Sequence, residues 1–438
     1  MMQFFYKKIS QIEEGDTIAV TSTLKDYIKR LNEIAKSGNY ESPEASINLA
    51  FDDELINKSV ELARIKKNDR LKYIVIVGIG GSNLGTMAVY EAIFGNLAVV
   101  LNNQKPKMIF LDTNNPKDIL DVKHILADIK DRDEILINLI SKSGGTTETV
   151  ANFEVLYDFL KGKIDNFDER VVVTTDFESK LWISAKNKGF SLLEIPKNVG
   201  GRYSLFSAVG IFPLALIGID IKNILEGAKN MRDICLNNDI EKNPALLSAI
   251  LIFLHNKKGI NINNSFFFHS QLESVGRWYR QLLGESIGKQ NNKNGEEVRV
   301  GITPIVSIGS TDLHSMAQLF LGGPKDKFTT FINTQSHKSG VSMPNKLELG
   351  ELVEDIAGRD FSDIMDAIYK GVKEAYIQNK MPFMEVIIDD INEKELGGFL
   401  QFKMMEIIFL AELLNVNAFD QPNVEDYKKE TRKILKII

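Results

Sequence analysis

The residues with the clearest capacity for chemistry lie in the run Ser141-Lys142-Ser143-Gly144-Gly145-Thr146-Thr147-Glu148-Thr149, directly after the apolar stretch Ile135 to Ile140. That stretch reads as a buried parallel strand, and the pattern turns helical from about Thr147. The junction offers hydroxyls from Ser141, Ser143, Thr146 and Thr147, pliant backbone at Gly144 and Gly145, and the unpaired amides of a helix N-terminus. A phosphate monoester carries nearly two negative charges and accepts several hydrogen bonds, so neutral donors and a helix dipole can hold it without a metal. The same residues also suit an ordinary strand-to-helix turn, and other stretches must decide between the two.

A second glycine run, Gly78-Ile79-Gly80-Gly81-Ser82-Asn83-Leu84-Gly85, follows the strand pattern Tyr73 to Val77. It suggests a dinucleotide fingerprint, but Asn83 stands where the third glycine belongs, and Met108 to Asp112 supplies no convincing ribose acid. A nicotinamide-dependent dehydrogenase is therefore the weaker reading. Two glycines precede an arginine in Gly200-Gly201-Arg202-Tyr203-Ser204, where backbone can approach a ligand closely while the guanidinium reaches over it.

In Gln281-Leu282-Leu283-Gly284-Glu285-Ser286, Gln281 and Glu285 share a face if helical geometry persists past the expected helix Gln271 to Leu283. A Glu between glycines and beside apolar neighbours is a candidate for desolvation and base chemistry. His314 sits where Ser310 or Thr311 could cap a helix. The remaining histidines are too scattered for a metal site, so no metal ligand and no cofactor is expected. Gln421 and Lys428 are seven residues apart around Pro422, where a last helix would begin near Asn423.

The chain that must position these groups has 438 residues, 44% hydrophobic and 26% charged, as in a water-soluble globular protein of two or three domains. A net charge of −6 with no long basic run gives no reason to expect nucleic acid. The single cysteine, Cys235, excludes a disulfide framework and suits a reducing compartment. The start, Met-Met-Gln-Phe-Phe-Tyr-Lys-Lys, has the reverse charge order of a signal peptide, and no apolar run approaches the ~20 residues of a membrane span. A cytoplasmic location is expected.

Residues 1–66 carry a helical pattern and no obvious site. Strand patterns at Tyr73 to Val77, Met108 to Leu111, Ile135 to Ile140, Val171 to Thr174 and Ser191 to Ile195 alternate with helical ones, which predicts a doubly wound α/β domain over 67–240. A second α/β unit over 241–438 has strands at Ser265 to Phe268, Ile302 to Ile308, Phe328 to Asn333 and Phe383 to Ile388. The expected class is α/β, with two doubly wound parallel-sheet domains and flanking helices. Ligands of such sheets bind at the carboxyl ends of strands, where both Gly80-Gly81-Ser82 and Ser141 to Thr147 fall.

Taken in order, Gly78-Ile79-Gly80-Gly81-Ser82, Ser141-Lys142-Ser143-Gly144, Gly200-Gly201-Arg202-Tyr203-Ser204, Gly284-Glu285-Ser286 and Phe419-Asp420-Gln421 through Lys428 resemble the runs of the glucose-6-phosphate isomerase family. The resemblance spans the chain from about residue 70. It implies two sugar isomerase domains, metal-free interconversion of glucose 6-phosphate and fructose 6-phosphate, and a homodimer in which His314 serves the neighbour's site. It further implies that Gly81, Ser82, Ser141, Lys142 (mainly through backbone), Ser143, Thr146 and Gly201 face the substrate. By the same resemblance Glu285 is the base, Arg202 flanks the enediolate and His314 opens the ring with Lys428, while Gln281 and Gln421 contact the sugar. Two positions depart from the family pattern: Gly145 replaces a hydroxyl residue, and Asn423 a small one. A catalytically dead sugar-phosphate sensor would share the cradle but would have no use for Glu285, His314 and Lys428 together.

Overall fold

The computed structural model describes residues 2–98, 100–101, 106–335, 337–350 and 352–437. Its strands are β1 Gln3–Phe5, β2 Tyr73–Val77, β3 Lys107–Leu111, β4 Ile135–Ile140, β5 Val171–Asp176, β6 Ser191–Ile195, β7 Ile262–Phe267, β8 Lys289–Asn291, β9 Glu297–Val300, β10 Thr303–Ile308, β11 Lys327–Thr334 and β12 Phe383–Ile388. They form an α/β fold with parallel sheets and flanking helices.

The first sheet has the order β3-β2-β4-β5-β6 and is parallel throughout. Its strands carry apolar residues on both faces. Ile74 and Ile76 of β2 enter one core, with Leu136 and Ile140 of β4, whereas Val75 and Val77 enter another, with Ile135, Ile137 and Leu139. The period-two alternation thus divides a continuous apolar run between two helical layers. The chain order reverses between β2 and β4, and a crevice opens there at their carboxyl ends.

The second sheet has the order β1-β12-β11-β7-β10, with β1 antiparallel to β12 and the other neighbours parallel. Phe267 and Val386 face the core shared with the first sheet, while Phe266, Phe331 and Phe383 build a separate aromatic cluster. Between the sheets, the Ile221–Cys235 and Glu393–Leu413 helices cross so closely that a Cβ on Gly227 would stand 1.9 Å from the Lys394 carbonyl oxygen, and one on Gly397 1.9 Å from that of Ile224. Only glycine fits at either crossing point.

Three sequence expectations are corrected here. The first 66 residues are not purely helical, because Gln3–Phe5 adds an edge strand to the second sheet. The helix expected to end at Leu283 runs from Glu273 to Ile287, so Glu285 lies in its last turn rather than in a loop. Neither Ser310 nor Thr311 caps the short Thr311–Ser315 helix through its side chain; instead Asp312 Oδ2 accepts the Ile308 amide at 2.7 Å.

His255 shows how the core responds to acid. Its imidazole is buried, stacks on Phe328 at 4.4 Å and shares a 2.8 Å hydrogen bond with the Ser10 carbonyl. Burial is the dominant influence and lowers its pKa from 6.5 to about 4. The unfolded chain therefore binds the proton first, and stability present above pH 6.5 is lost as the pH falls towards 4. Between pH 7 and 5 this group alone should remove about 2 kcal/mol, read from urea unfolding curves, and His255→Gln should flatten that part of the profile.

Candidate active site

Three single turns and two helix ends converge on the β2/β4 crevice. Past β2, Gly80–Ser82 makes one tight turn, and Gly80 adopts φ +61 with its Cα facing the Gln281 amide. A Cβ on Gly81 would lie 2.2 Å from the Gly201 carbonyl carbon and 2.5 Å from the Arg202 nitrogen, so the turn after β2 rests directly on the Gly201–Tyr203 turn. This contact explains Gly81 through backbone packing, whereas a Cβ on Gly201 would meet only the Gly81 Cα at 3.8 Å.

After β4, Ser141 is buried and its hydroxyl meets that of Thr146 at 3.2 Å, while the Gly145 amide donates to Ser143 Oγ at 3.4 Å. Gly144 takes φ +68 against Leu181 and turns the chain into the Thr147–Lys161 helix. The N-cap residue Thr146 makes no side-chain cap bond, which leaves first-turn amides open to a ligand. The hydroxyls of Ser82 and Thr147 have no hydrogen-bond partner within the described residues. A Cβ at Gly145 would meet nothing within 4 Å. The hydroxyl missing at this position leaves open space and no compensating contact.

Lys142 is committed elsewhere. Its ammonium donates to the carbonyls of Lys197 at 2.5 Å and Val199 at 2.8 Å and lies 3.6 Å from Asp176. Burial lowers its pKa, and Asp176 opposes that shift. The side chain thus ties the cradle to the segment that leads into Gly200 and Gly201.

Arg202 is the best-anchored group of the site, with a side chain only 2% exposed. Nε donates to Ser286 Oγ at 2.7 Å, Nη1 to Gln421 Oε1 at 2.7 Å and to Glu285 Oε2 at 3.4 Å, and Nη2 to the carbonyls of Ala418 at 2.5 Å and Asp420 at 3.0 Å. The Tyr203 hydroxyl also meets Ser286 Oγ, at 3.0 Å. The Glu285 carboxylate receives Arg202 on one oxygen and Gln281 Nε2 on the other at 3.3 Å, and its side chain is 32% exposed. Both hydrogen bonds are long, so the carboxylate is oriented but remains open to a reacting proton. Gln281 Oε1 is buried and has no hydrogen-bond partner among the described residues.

The Val424–Ile434 helix closes the crevice from the other side. Lys428 pairs with Glu425 at 2.8 Å, which holds that carboxyl below its usual range. A cavity of ≈120 Å³ is lined by Ser143, Gly145, Thr146, Thr147 and Glu148 after β4 and by Glu425, Tyr427, Lys428, Thr431 and Arg432 of the last helix. Gln421 precedes the helix, so the two do not share one helical face as their spacing suggests; Gln421 turns to Arg202 and Lys428 to the cradle. Asn423 is docked by its amide to Gln290 Oε1 at 3.0 Å, which fixes the helix start.

The structure therefore brings together Gly81, Ser82, Ser141, Ser143, Thr146, Gly201, Arg202, Gln281, Glu285, Gln421 and Lys428, with Lys142 behind them. His314 does not join them: it is exposed in the second sheet's Thr311–Ser315 helix and makes no hydrogen bond. Sequence reasoning missed Ser286 and Lys289, which hold Arg202 and the Asp420 loop. A lysine just past a helix C-terminus is the signal that could have found the second. Among the described residues, no group of three or more His, Cys, Asp or Glu side chains is placed to hold a metal ion.

A hydroxyl-lined cavity after β4 and a carboxylate beside a fixed guanidinium, on parallel α/β sheets, are features of an aldose–ketose isomerase of phosphosugars. Residues 62–438 match the family model described as phosphoglucose isomerase, and the chain belongs to that family. It is 36% identical over 390 residues to a glucose-6-phosphate isomerase of Methanocaldococcus jannaschii, covering 89% of this chain and 90% of that one. Over 386 residues it is 34% identical to one from Carboxydothermus hydrogenoformans, covering 86% and 82%. Among solved structures, a hypothetical protein of Thermus thermophilus superposes with a TM-score of 0.85 at 30% identity, covering 99% of this chain and all of that one. The glucose-6-phosphate isomerase of Chlamydia trachomatis shares the fold, with a TM-score of 0.83 at 20% identity, covering 100% of this chain and 88% of that one.

The Gly81–Gly201 contact has a direct test. Gly81→Ala should push the Arg202 turn away from the cradle by the better part of an ångström and cut isomerase turnover by about 10²-fold, while the fold, followed by circular dichroism, persists. Unchanged turnover would show that the contact is dispensable.

Proposed function

We propose that the chain interconverts glucose 6-phosphate and fructose 6-phosphate, without a metal, as a cytoplasmic enzyme of glycolysis and gluconeogenesis. The observation that carries this reading is the Glu285 carboxylate held between Gln281 and Arg202, opposite a hydroxyl-lined anion cradle. The relatives' printed names and the family match support it.

In this reading the phosphate sits on Ser82, Ser141, Ser143, Thr146 and the amides of the Thr147–Lys161 helix, with Lys142 holding the loop. Gly81 and Gly201 bring backbone close to the sugar, and Gln281 Oε1 accepts from one of its hydroxyls. Glu285 takes the proton from carbon 2 of the open-chain aldose. The C–H electron pair becomes the carbon 1–carbon 2 double bond, and the carbonyl pair moves to the carbon 1 oxygen. Arg202, whose charge is already fixed, lowers the energy of that enediolate without reorganising. The carbon 2 hydroxyl proton passes to the carbon 1 oxygen, which shifts the enediolate charge to the carbon 2 oxygen; Glu285 then returns its proton to carbon 1 as the carbonyl forms at carbon 2.

Ring opening precedes these steps and requires a separate acid and base, assigned to His314 and Lys428. Because His314 stands outside the site of its own chain, the reading includes a homodimer in which it reaches the partner's site. The two sheets are assigned to two doubly wound sugar isomerase domains, 67–240 and 241–438, following the helical segment 1–66.

A coupled assay on fructose 6-phosphate with chelator present tests the activity; absence of glucose 6-phosphate formation, or dependence on an added divalent ion, would overturn it. Glu285→Gln keeps shape and hydrogen bonding but not basicity, so turnover should fall by about 10²- to 10⁴-fold with substrate affinity nearly intact. The same variant should stop solvent label from entering at carbon 2; exchange at the parent rate would assign the base elsewhere.

Mixing subunits tests the shared site. Glu285→Gln and His314→Ala chains, each inactive alone, should regain activity once heterodimers form, because one of the two mixed sites then holds both native groups. Proven heterodimers without activity would place His314 within its own chain's chemistry or outside it altogether.

A further inference from the structure

Lys289 lies two residues beyond the Glu273–Ile287 helix, at the start of β8, and its side chain is 4% exposed. An ammonium has three protons to donate, and here all three have acceptors. Nζ donates to the Glu285 carbonyl at 2.9 Å, to the Asp420 carbonyl, and to Asp420 Oδ1 at 3.0 Å. The first is one of the last four carbonyls of the helix, which have no partner inside it. The second is the oxygen that Arg202 Nη2 also reaches, at 3.0 Å. Burial pushes the Lys289 pKa down, while the Asp420 hydrogen bond and charge push it back up.

The segment held in this way joins the Glu393–Leu413 and Val424–Ile434 helices, and at Asp420 itself its carbonyl is held by Lys289 and Arg202. Residues 414–423 lie outside regular secondary structure. Besides Lys289 and Arg202, their anchors are the buried side chains of Val416 and Ala418, the Lys293 amide on the Asn415 carbonyl at 2.9 Å, the turn contacts Asn417 Nδ2 to Asp420 Oδ2 at 2.9 Å and Phe419 N to Asn417 Oδ1 at 3.0 Å, the Phe419 ring against Tyr203 at 5.3 Å, and Asn423 on Gln290. Gln421, which bonds Arg202 Nη1, sits in this segment, and Lys428 stands in the first turns of the helix that follows it.

We propose that Lys289 is a positioning residue of the isomerase centre, stapling the end of the helix that carries Glu285 to the Asp420 loop and thereby setting Arg202, Gln421 and Lys428 relative to the base. This rests on the assignment of Glu285 as base. The partners of Lys289, Glu285 and Asp420, both lie at the reaction end and not in the Ser141 to Thr147 turn, so the staple acts first on that end. Its loss leaves the Asp420 carbonyl to Arg202 and frees the loop to move away from Glu285.

Lys289→Met keeps length and removes the donors. The expected result is a fall in kcat of about 10- to 100-fold with KM for fructose 6-phosphate within about 3-fold, the split expected of lost geometry rather than lost binding. Amide hydrogen exchange should rise by about 10-fold or more in residues 416–423 and stay unchanged in the Thr147–Lys161 helix. Lys289→Arg, which keeps a cation there, should recover part of the lost kcat.

Parent-like kcat and exchange in the Met variant would overturn the proposal, as would a uniform rise in exchange with kcat and KM changing together. If the Met variant does not fold, Lys289→Gln, which keeps a polar end but is too short and has too few donors to bridge both carbonyls, takes its place, and unchanged exchange in 416–423 would overturn the staple equally. The exchange readout needs no turnover. A parent chain that binds fructose 6-phosphate without isomerising it defeats the proposed reaction, whereas a parent-like loop in the variants defeats the staple.

Discussion

The buried guanidinium of Arg202 is the constraint on which the site depends. A charge removed from water is costly unless every donor is met, and all of its acceptors come from segments other than its own turn. Ser286 and Glu285 belong to the helix that runs toward β8, and Ala418, Asp420 and Gln421 to the loop before the last helix. Three stretches far apart in sequence must therefore assemble before the charge is satisfied. A lysine could not replace it, because one ammonium cannot reach acceptors spread around a planar fork.

Glycine contacts carry this local order to the rest of the chain. Gly81 against Gly201 sets the distance between the anion cradle and the guanidinium through backbone alone, with no flexible side chain in between. Gly227 and Gly397 play the same part in the helical layer between the sheets, where the Glu393–Leu413 helix leads directly to the loop that Arg202 clamps. The cradle sits on the first sheet and the carboxylate on a helix that packs beside β10 of the second, so relative placement of the sheets is relative placement of the two ends of a substrate.

Much of this was legible in the sequence because it rests on local periodicity. The strands β2, β4, β6 and β12 coincide with the apolar runs that announce them, and β3, β5, β7, β10 and β11 differ from theirs by one to three residues at an end. The Ser141 to Thr147 run, Arg202 and Glu285 were marked by type and setting. What was not legible depends on partners distant in sequence. Gln3–Phe5 is too short to show alternation and exists as a strand only because β12 offers it an edge. Glu285 looked like a loop residue because glycines flank it, yet Gly284 packs within the helix and Gly288 ends it. Lys289 gave no sign beyond its place after a helix, since its acceptors on Asp420 lie more than a hundred residues away. His314 was named by resemblance, and nothing in the single chain brings it to the other groups.

The distribution of committed and uncommitted groups describes the ligand that would complete the site. Lys142, Arg202, Lys289 and Lys428 already have internal partners, so the cations serve mainly as fixed charges and braces. Left open are hydroxyls and helix amides at the cradle end, which can only gain by meeting an acceptor-rich anion, and the lone acceptor Gln281 Oε1 at the other end, which can only gain by meeting a donor. Between them stands a carboxylate held by two long hydrogen bonds. A molecule with a phosphate at one terminus and hydroxyl-bearing carbons at the other satisfies all three at once, and in doing so places its carbon chain beside the carboxylate. In the proposed reading, binding and proton transfer are consequences of one arrangement: the groups that would recognise the two ends of the substrate are the ones that would aim its middle at Glu285.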